Sequence, residues 1–283
     1  MSSFGEVISW AADGPGAWTG SIPTTWMQGR TSFGGIPAAL GLRAIRAVTA
    51  DDQRRPRSVH TSFFGPLDDR PARVTAEVIR AGRYLSHARA EIRQAGELRT
   101  QVTVTLAADR DSGVVLGGPP RPERKGPEGL SDLPFIDGLT PAFTRYFAFR
   151  WTDGSLPFSG GKEARLGGWC RHRSDPGPDP YVAALGLLDA WPSPFVSMMT
   201  RPAPASSVTW TTNFFDVPEV IDESTWCWYG SEGVAARNGI AGMRAGLHGP
   251  EGRLVATVEQ LVALFDRPGA GPGAGLGGGS AGS

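Results

Sequence analysis

One apolar pattern occurs twice along the chain and predicts a helix each time. The motif Ala-Ala-Leu-Gly-Leu stands at residues 38–42 and again at 183–187. In the first copy a glycine turn leads into Pro37, and proline is tolerated in a first helical turn. We expect the first helix to run to about Val48 and the second to lie within residues 179–192.

The second helix carries an acid on its apolar face. Residues three and four apart share a helix face, so Val182, Leu185 and Asp189 form one stripe, with the acid where a leucine is expected. An unpaired buried carboxylate is costly and is usually paired, neutralised or used in chemistry. The matching position of the first copy holds Ala44, so the fold does not require the acid. Asp189 is therefore a candidate catalytic residue.

Alternating apolar and polar positions predict antiparallel strands with one face in water. Arg73 and Thr75, for example, alternate with Val74 and Ala76. Both halves of the chain show a helix followed by a run of strands, which indicates an internal duplication. The predicted strands span residues 60–64, 72–80, 84–93 and 97–106 in the first half, and 145–151, 168–173, 206–215, 224–229, 234–244 and 253–262 in the second.

Glycine and proline divide the chain into two units. Residues 117–129 are too rich in both to support a helix or a central strand. We therefore predict an N-terminal unit at 1–110, a linker at 111–142 and a C-terminal unit at 143–267. Residues 268–283 are mostly glycine and alanine without core-forming content, so we expect a disordered tail there.

Bulk composition argues against several classes of partner. The 28 basic and 28 acidic residues cancel, and the pI is near 6.9, so no global field attracts nucleic acid or an anionic membrane. Cys170 and Cys227 lack CxxC spacing and a surrounding histidine set, which argues against a disulfide framework or a structural zinc site. No signal-peptide pattern and no apolar run of about 20 residues occurs, so we expect a soluble cytoplasmic protein.

Six longer motifs follow one another in a recognisable order. They are Ser32-Phe-Gly-Gly-Ile-Pro-Ala-Ala-Leu-Gly-Leu42, Ser58-Val-His-Thr-Ser-Phe-Phe-Gly-Pro66 and Val74 through Ala90, then Leu187-Leu-Asp-Ala190, Ser207-Val-Thr-Trp-Thr-Thr-Asn-Phe214 and Arg253-Leu-Val-Ala-Thr-Val-Glu-Gln260. In this order they resemble the double hotdog fold, and more specifically the acyl-CoA thioesterase II family. The resemblance implies an α+β fold in which two tandem antiparallel sheets each wrap around a long central helix.

The family resemblance implies a site of three polar side chains. In that family an Asp, a Thr or Ser, and a Gln position a water that attacks the thioester carbonyl, and the motifs place these roles on Asp189, Ser207 and Gln260. Serine stands here where threonine is common, and Thr209 lies two residues on. Because residues two apart share a strand face, Thr209 is an alternative source of the hydroxyl. The resemblance implies neither a metal nor an organic cofactor.

Gln260 is also unusual on its own strand. It shares a strand face with Val258, Val262 and Leu264, so an amide stands in an apolar row. A buried amide needs hydrogen-bond partners, which Asp189 and a strand hydroxyl would supply. The alternative is a buried polar network that only fixes the core.

The turn before the first helix is a candidate substrate-binding element. Phe33, Gly34 and Gly35 offer backbone N–H groups at a helix start, a place suited to polarising a carbonyl oxygen or holding an anion. Phe33 stands where many hotdog thioesterases have histidine, so the resemblance implies an electrostatic or steric role rather than acid–base chemistry. The alternative is a plain helix-entry turn.

The function implied by the resemblance is hydrolysis of acyl-CoA thioesters to free acid and CoA, with the acyl chain in an apolar tunnel between helix and sheet. Two alternatives stay open at this point. The chain could be a catalytically silent acyl-thioester-binding or scaffold protein, or a thioesterase that acts on carrier-protein thioesters. Hotdog units pair through their sheets, so we expect a homo-oligomer formed through sheet or helix faces, with no nucleic acid and no membrane span.

Overall fold

The computed structural model describes residues 2–266, which form three α-helices, three 3-10 helices and fourteen strands. The predicted tail at 268–283 lies outside the described residues. The α-helices are α1 (Phe4–Val7), α2 (Gly35–Thr49) and α3 (Pro180–Asp189), and the 3-10 helices span Thr24–Trp26, Ala142–Tyr146 and Pro194–Ser197. The strands are β1 (Ala11–Ala12), β2 (Ala17–Gly20), β3 (Met27–Gln28), β4 (Thr31–Ser32), β5 (Arg54–Phe63), β6 (Ala72–Ala81), β7 (Leu85–Gln94), β8 (Glu97–Ala108), β9 (Phe147–Gly154), β10 (Arg165–His172), β11 (Ala205–Phe214), β12 (Cys227–Arg237), β13 (Ile240–His248) and β14 (Leu254–Leu264).

Twelve of the described strands form one continuous antiparallel sheet, in the order β1-β2-β6-β7-β8-β5-β11-β14-β13-β12-β10-β9. The two halves of the chain meet at its centre, where β5 pairs with β11 and Ser62 lies opposite Thr209. The run β6-β7-β8-β5 of the first half is followed by its mirror image, β11-β14-β13-β12, in the second. The predicted duplication is thus visible as two copies of one strand arrangement, and the two expected sheets are joined edge to edge.

One predicted strand is wrong. The segment 234–244 contains the end of β12, a turn and the start of β13. Asn238 and Gly239 both have positive φ, 54° and 77°, which is the conformation of a two-residue hairpin turn. Asn-Gly is a strong hairpin signal, so the sequence itself contained the information that places this turn.

Two ion pairs at equivalent positions show how one half of the sheet superposes on the other. In the first half Glu77 lies opposite Arg89 across β6 and β7, and in the second Glu232 lies opposite Arg244 across β12 and β13. The nitrogen–oxygen distances in these pairs are 2.6 and 3.6 Å. Counting along the strands from these pairs gives the residue of one half that corresponds to each residue of the other.

Helix α3 packs against α2 and contacts β10, and its first turn lies beside the end of β11 at the seam where β5 and β11 pair. Its N-cap Asp179 accepts a hydrogen bond from Tyr181 N at 2.9 Å, and the Tyr181 ring meets Phe214 edge-on at 5.3 Å. Every residue from 182 to 188 is buried, because the helix is apolar on all sides. Tyr181 at one end of the helix thus lies beside Phe214, the last residue of β11, whereas Asp189 at the other end lies beside Gly34 at the start of α2.

The predicted linker is an irregular segment that packs against the second half. Residues 109–141 are all described and form neither helix nor strand. Arg121 lies 4.4 Å from the ring centre of Trp169 in β10, and the Trp169 indole N–H donates to a linker carbonyl at 2.8 Å. His172 of β10 contacts Ala183 of α3, so Trp169 points to the opposite face. The linker therefore covers the face of the second half that is turned away from α3.

Candidate active site

Ser207 and Gln260 meet across β11 and β14. The amide of Gln260 donates a hydrogen bond from Nε2 to the hydroxyl oxygen of Ser207. Both residues are partly buried, and the neighbours that pair with Gln260 on either side, Trp210 and Met243, are buried. The polar pair is therefore set into an apolar surface.

A β-bulge decides which hydroxyl reaches Gln260. Ser207 lies opposite Val262, whereas Thr209 lies opposite Leu261, so β11 has one extra residue between the two. Val262 shares a strand face with Gln260, and Leu261 points to the other face. Ser207 therefore stands on the face of Gln260 and Thr209 on the opposite face. The expectation that Ser207 and Thr209 share a face is wrong, because the bulge changes the alternation.

Asp189 is the last residue of α3, and its carboxyl lies among core atoms. Burial raises the pKa of this carboxyl to about 7, although hydrogen bonds from the backbone N–H groups of Gly35 and Gly34 act in the opposite direction. The residue keeps some accessible surface. A carboxyl with this pKa is partly ionised at neutral pH and is suited to take and return a proton.

Asp189 lies at the same end of the β5–β11 seam as Ser207. A Cβ built on Gly34 would lie 2.8 Å from Asp189 Oδ2 and 3.5 Å from Phe63 Cζ. Phe63 ends β5 and lies beside the bulge that follows Ser207. Among the described residues no hydrogen bond joins Asp189 to Ser207 or Gln260.

The turn before α2 lies beside the carboxyl of Asp189. The N–H groups of Gly34 and Gly35 stand at the start of α2, where a helix favours a negative charge, and they interact with the carboxyl of Asp189. The Phe33 ring is completely buried and stacks on Phe143 with 4.3 Å between ring centres. The anion at this turn is thus a side chain of the protein, and the role of the turn in substrate binding stays a prediction.

The strand register identifies the first-half counterpart of Gln260. Thr103 and Glu259 are the residues opposite the two ion-paired arginines of β7 and β13. The residues that follow them, Val104 and Gln260, therefore correspond to each other. The first half has a buried valine where the second half has the amide.

The counterparts of Ser207 and Asp189 are apolar as well. Strand β5 has a bulge after Pro56, at the position where β11 has its bulge after Ser207. The repeated helix motif matches Ala44 with Asp189. The second half thus has three polar groups where the first has alanine, proline and valine. Comparison of the sequences alone finds only the Ala44–Asp189 difference, because the other two depend on strand register.

Replacing Gly34 with alanine should lower kcat by about tenfold or more and leave the melting temperature nearly unchanged. The backbone at this position has φ −66° and ψ −23°, which alanine adopts freely, but its Cβ would force the Asp189 carboxyl to move. Gly242→Ala is the matched control, because a Cβ there meets no atom within 4 Å. Equal kcat values for the two variants would contradict this placement of Asp189.

Residues 2–266 contain neither a candidate membrane-spanning helix nor a candidate metal-binding cluster. No helix in this part of the chain is long and apolar enough to cross a membrane. The same residues contain no group of three or more His, Cys, Asp or Glu side chains that could hold a metal ion.

Family models match both halves of the chain. A model of an acyl-CoA thioesterase N-terminal domain matches residues 22–108, and a model of an acyl-CoA thioesterase C-terminal domain matches residues 127–264. The second of these ranges contains Asp189, Ser207 and Gln260. No curated protein matches the sequence significantly.

Solved structures of low sequence identity share the fold. A conserved protein with a hot dog fold from Alicyclobacillus acidocaldarius has a TM-score of 0.81 and 21% identity, covering 94% of this chain and 98% of its own. The tesB protein of Mycobacterium avium subsp. paratuberculosis has a TM-score of 0.73 and 21% identity, with coverages of 92% and 97%. The acyl-CoA thioesterase II TesB2 of Mycobacterium marinum has a TM-score of 0.74 and 18% identity, with coverages of 95% and 100%. The predicted α+β double hotdog fold is confirmed, although α3, with 10 residues, is shorter than the long helix expected.

Proposed function

Because the chain belongs to the acyl-CoA thioesterase family, we propose that it hydrolyses acyl-CoA thioesters to a carboxylic acid and CoA at Asp189, Ser207 and Gln260. This proposal is supported by the position of these three polar groups at one end of the β5–β11 seam. They occur in only one of two otherwise equivalent halves of the chain. A fold that needed the acid for stability would need it in both halves. The first half does without it at Ala44.

In the proposed reaction Asp189 acts as general base. The oxygen of a water attacks the thioester carbonyl carbon while Asp189 takes the water proton, and the carbon–sulfur bond then breaks. The proton held by Asp189 passes to the leaving sulfur, which departs as the thiol of CoA. Ser207 and Gln260 hold the water in line for attack, since the Ser207 hydroxyl can accept from Gln260 and still donate or accept once more.

Ser207→Ala should reduce kcat by about tenfold to 100-fold, whereas Thr209→Ala should leave kcat within about twofold of the wild type. The two substitutions remove similar hydroxyls from one strand, but only Ser207 reaches Gln260. Steady-state thiol release from a fixed acyl-CoA measures both. A larger loss in Thr209→Ala than in Ser207→Ala would contradict the assignment of the hydroxyl.

The proposed activity is tested by thiol release from a panel of acyl-CoAs, run beside acid release from the same acyl groups on acyl carrier protein. Faster hydrolysis of the CoA thioesters is expected. Preference for the carrier-protein thioesters would keep the reaction and change the substrate class. Binding of acyl-CoA without any hydrolysis would favour the silent binding or scaffold protein and overturn the proposal.

Three further expectations from the sequence are part of this proposal. The division into units at 1–110 and 143–267, the cytoplasmic location and a homo-oligomer all stay predictions. The sheet edges formed by β5 and β11 are already paired within one chain, so association between copies would use other surfaces.

A further inference from the structure

An aromatic cluster fills the interior beside Asp189. Trp191 lies two residues after the acid and stacks on Tyr229 with ring centres 5.7 Å apart and planes inclined by 6°. Phe149 and Trp151 of β9 meet the other sides of the Trp191 ring at 5.3 and 5.2 Å. Three of the four side chains are buried, and only Trp151 keeps partial exposure.

The Trp191 ring sits directly against the backbone of the sheet. A Cβ built on Gly168 of β10 would lie 2.8 Å from Trp191 Cη2, so the ring occupies the space that any larger residue would need. Tyr229 is close enough to Asp189 for the charge of the carboxylate to raise the pKa of its phenol further, in addition to the larger effect of burial. The cluster therefore begins at the candidate catalytic acid and ends at the sheet.

Helices α2 and α3 each carry a glycine that packs directly against neighbouring side chains, so no space remains at these two positions. A Cβ on Gly41 of α2 would overlap Val102 Cγ2, and a Cβ on Gly186 of α3 would lie 2.9 Å from His172 Cε1 and 3.0 Å from Phe4 Cζ. Helix and sheet are in direct contact at both points. A long tunnel between helix and sheet, as expected from the resemblance, does not pass through either of them.

We infer that the acyl group hydrolysed at Asp189 is a short one, and that the Trp191 ring forms the end wall of its pocket. This inference rests on the proposed function and names its substrate class. The carbonyl carbon must lie within reach of a water beside Asp189, so the acyl chain extends from there towards the cluster. Each methylene that fits gains roughly fourfold in binding, and each one that meets the packed rings forces them apart.

The test compares acetyl-, butyryl-, hexanoyl-, decanoyl- and palmitoyl-CoA as substrates of the wild type and of Trp191→Ala. The kcat/KM of the wild type should fall by about tenfold or more between hexanoyl- and decanoyl-CoA. Trp191→Ala should raise the ratio of decanoyl to butyryl kcat/KM by about tenfold or more, because the truncated side chain leaves room for added methylenes. Trp191→Leu, which preserves more of the packing, should move the ratio in the same direction.

The matched control is Trp228→Ala, which removes an indole from the opposite face of the same half. Trp228 is buried there and donates its indole N–H to Thr152 Oγ1 at 3.1 Å. In the Trp228→Ala variant, kcat/KM should depend on acyl-chain length in the same way as in the wild type. Equal wild-type rates on palmitoyl- and butyryl-CoA, or an unchanged profile in both Trp191 variants, would overturn the inference and keep the proposed function. If no thioester were hydrolysed, both the inference about chain length and the proposed function would be overturned.

Discussion

Asp189→Asn should lower kcat for thioester hydrolysis by about 100-fold or more. Asparagine keeps the size of the side chain and can still accept hydrogen bonds from the N–H groups of Gly34 and Gly35, but it cannot take a proton from water. Single-turnover thiol release, with enzyme in excess over acyl-CoA, measures the chemical step without product release.

Asp179→Asn is the matched control for this substitution. It makes the same change at the other end of α3, where the side chain caps the helix and pairs with Arg46 at 3.2 Å. Asparagine is an equally good N-cap, so the helix is preserved and activity should stay near that of the wild type. Full activity in Asp189→Asn would contradict the proposed base, and an equal loss in both variants would indicate damage to α3 instead.

Asp189→Asn should also stabilise the folded protein in alkaline solution. Burial raises the pKa of Asp189 from 3.8 to about 7, so the folded state prefers the neutral acid. Stability from this group is complete below the unfolded pKa of 3.8 and is lost as the pH rises through 7. Above that pH the buried charge costs about 3 kcal/mol, with allowance for the accessible side of the carboxyl. Asparagine carries no such cost.

Urea unfolding at about pH 8 and about pH 4 measures this gain. The free energy of unfolding of Asp189→Asn should exceed that of the wild type by about 3 kcal/mol at the higher pH and be nearly equal to it at the lower. The Asp179→Asn control should show no gain at either pH, because it loses the ion pair with Arg46. A gain of the same size at both pH values would mean that the Asp189 carboxyl does not have a raised pKa.

The repeated helix motif and the strand alternation were sufficient to predict most of the fold. The first helix is predicted to end near Val48 and ends at Thr49, and it packs on β6, β7 and β8, the strands that follow it. These features depend on local apolar periodicity, which a single sequence contains. The turn at Asn238-Gly239 was equally local, and its dipeptide signal was outweighed by the apolar residues on both sides.

The choice between Ser207 and Thr209 could not be made from the sequence. A bulge adds a residue to one strand relative to its partner, so its position depends on how β11 pairs with β14 and not on either strand alone. The contact between Asp189 and the start of α2 is likewise tertiary, since it joins residues from the two halves. The rings around Trp191 come from separate strands and a loop, and only folding brings them together.

The pH dependence of kcat/KM for thiol release tests the central claim most directly, because it reports the ionisation of the free enzyme. If Asp189 is the base, kcat/KM should rise about tenfold per pH unit in acid solution and level off near the pKa of about 7 that burial gives this carboxyl. The residual activity of Asp189→Asn should lack this rise. A wild-type profile that is already level at about pH 5 would contradict the account, since Asp189 would then be protonated while the enzyme worked at full rate.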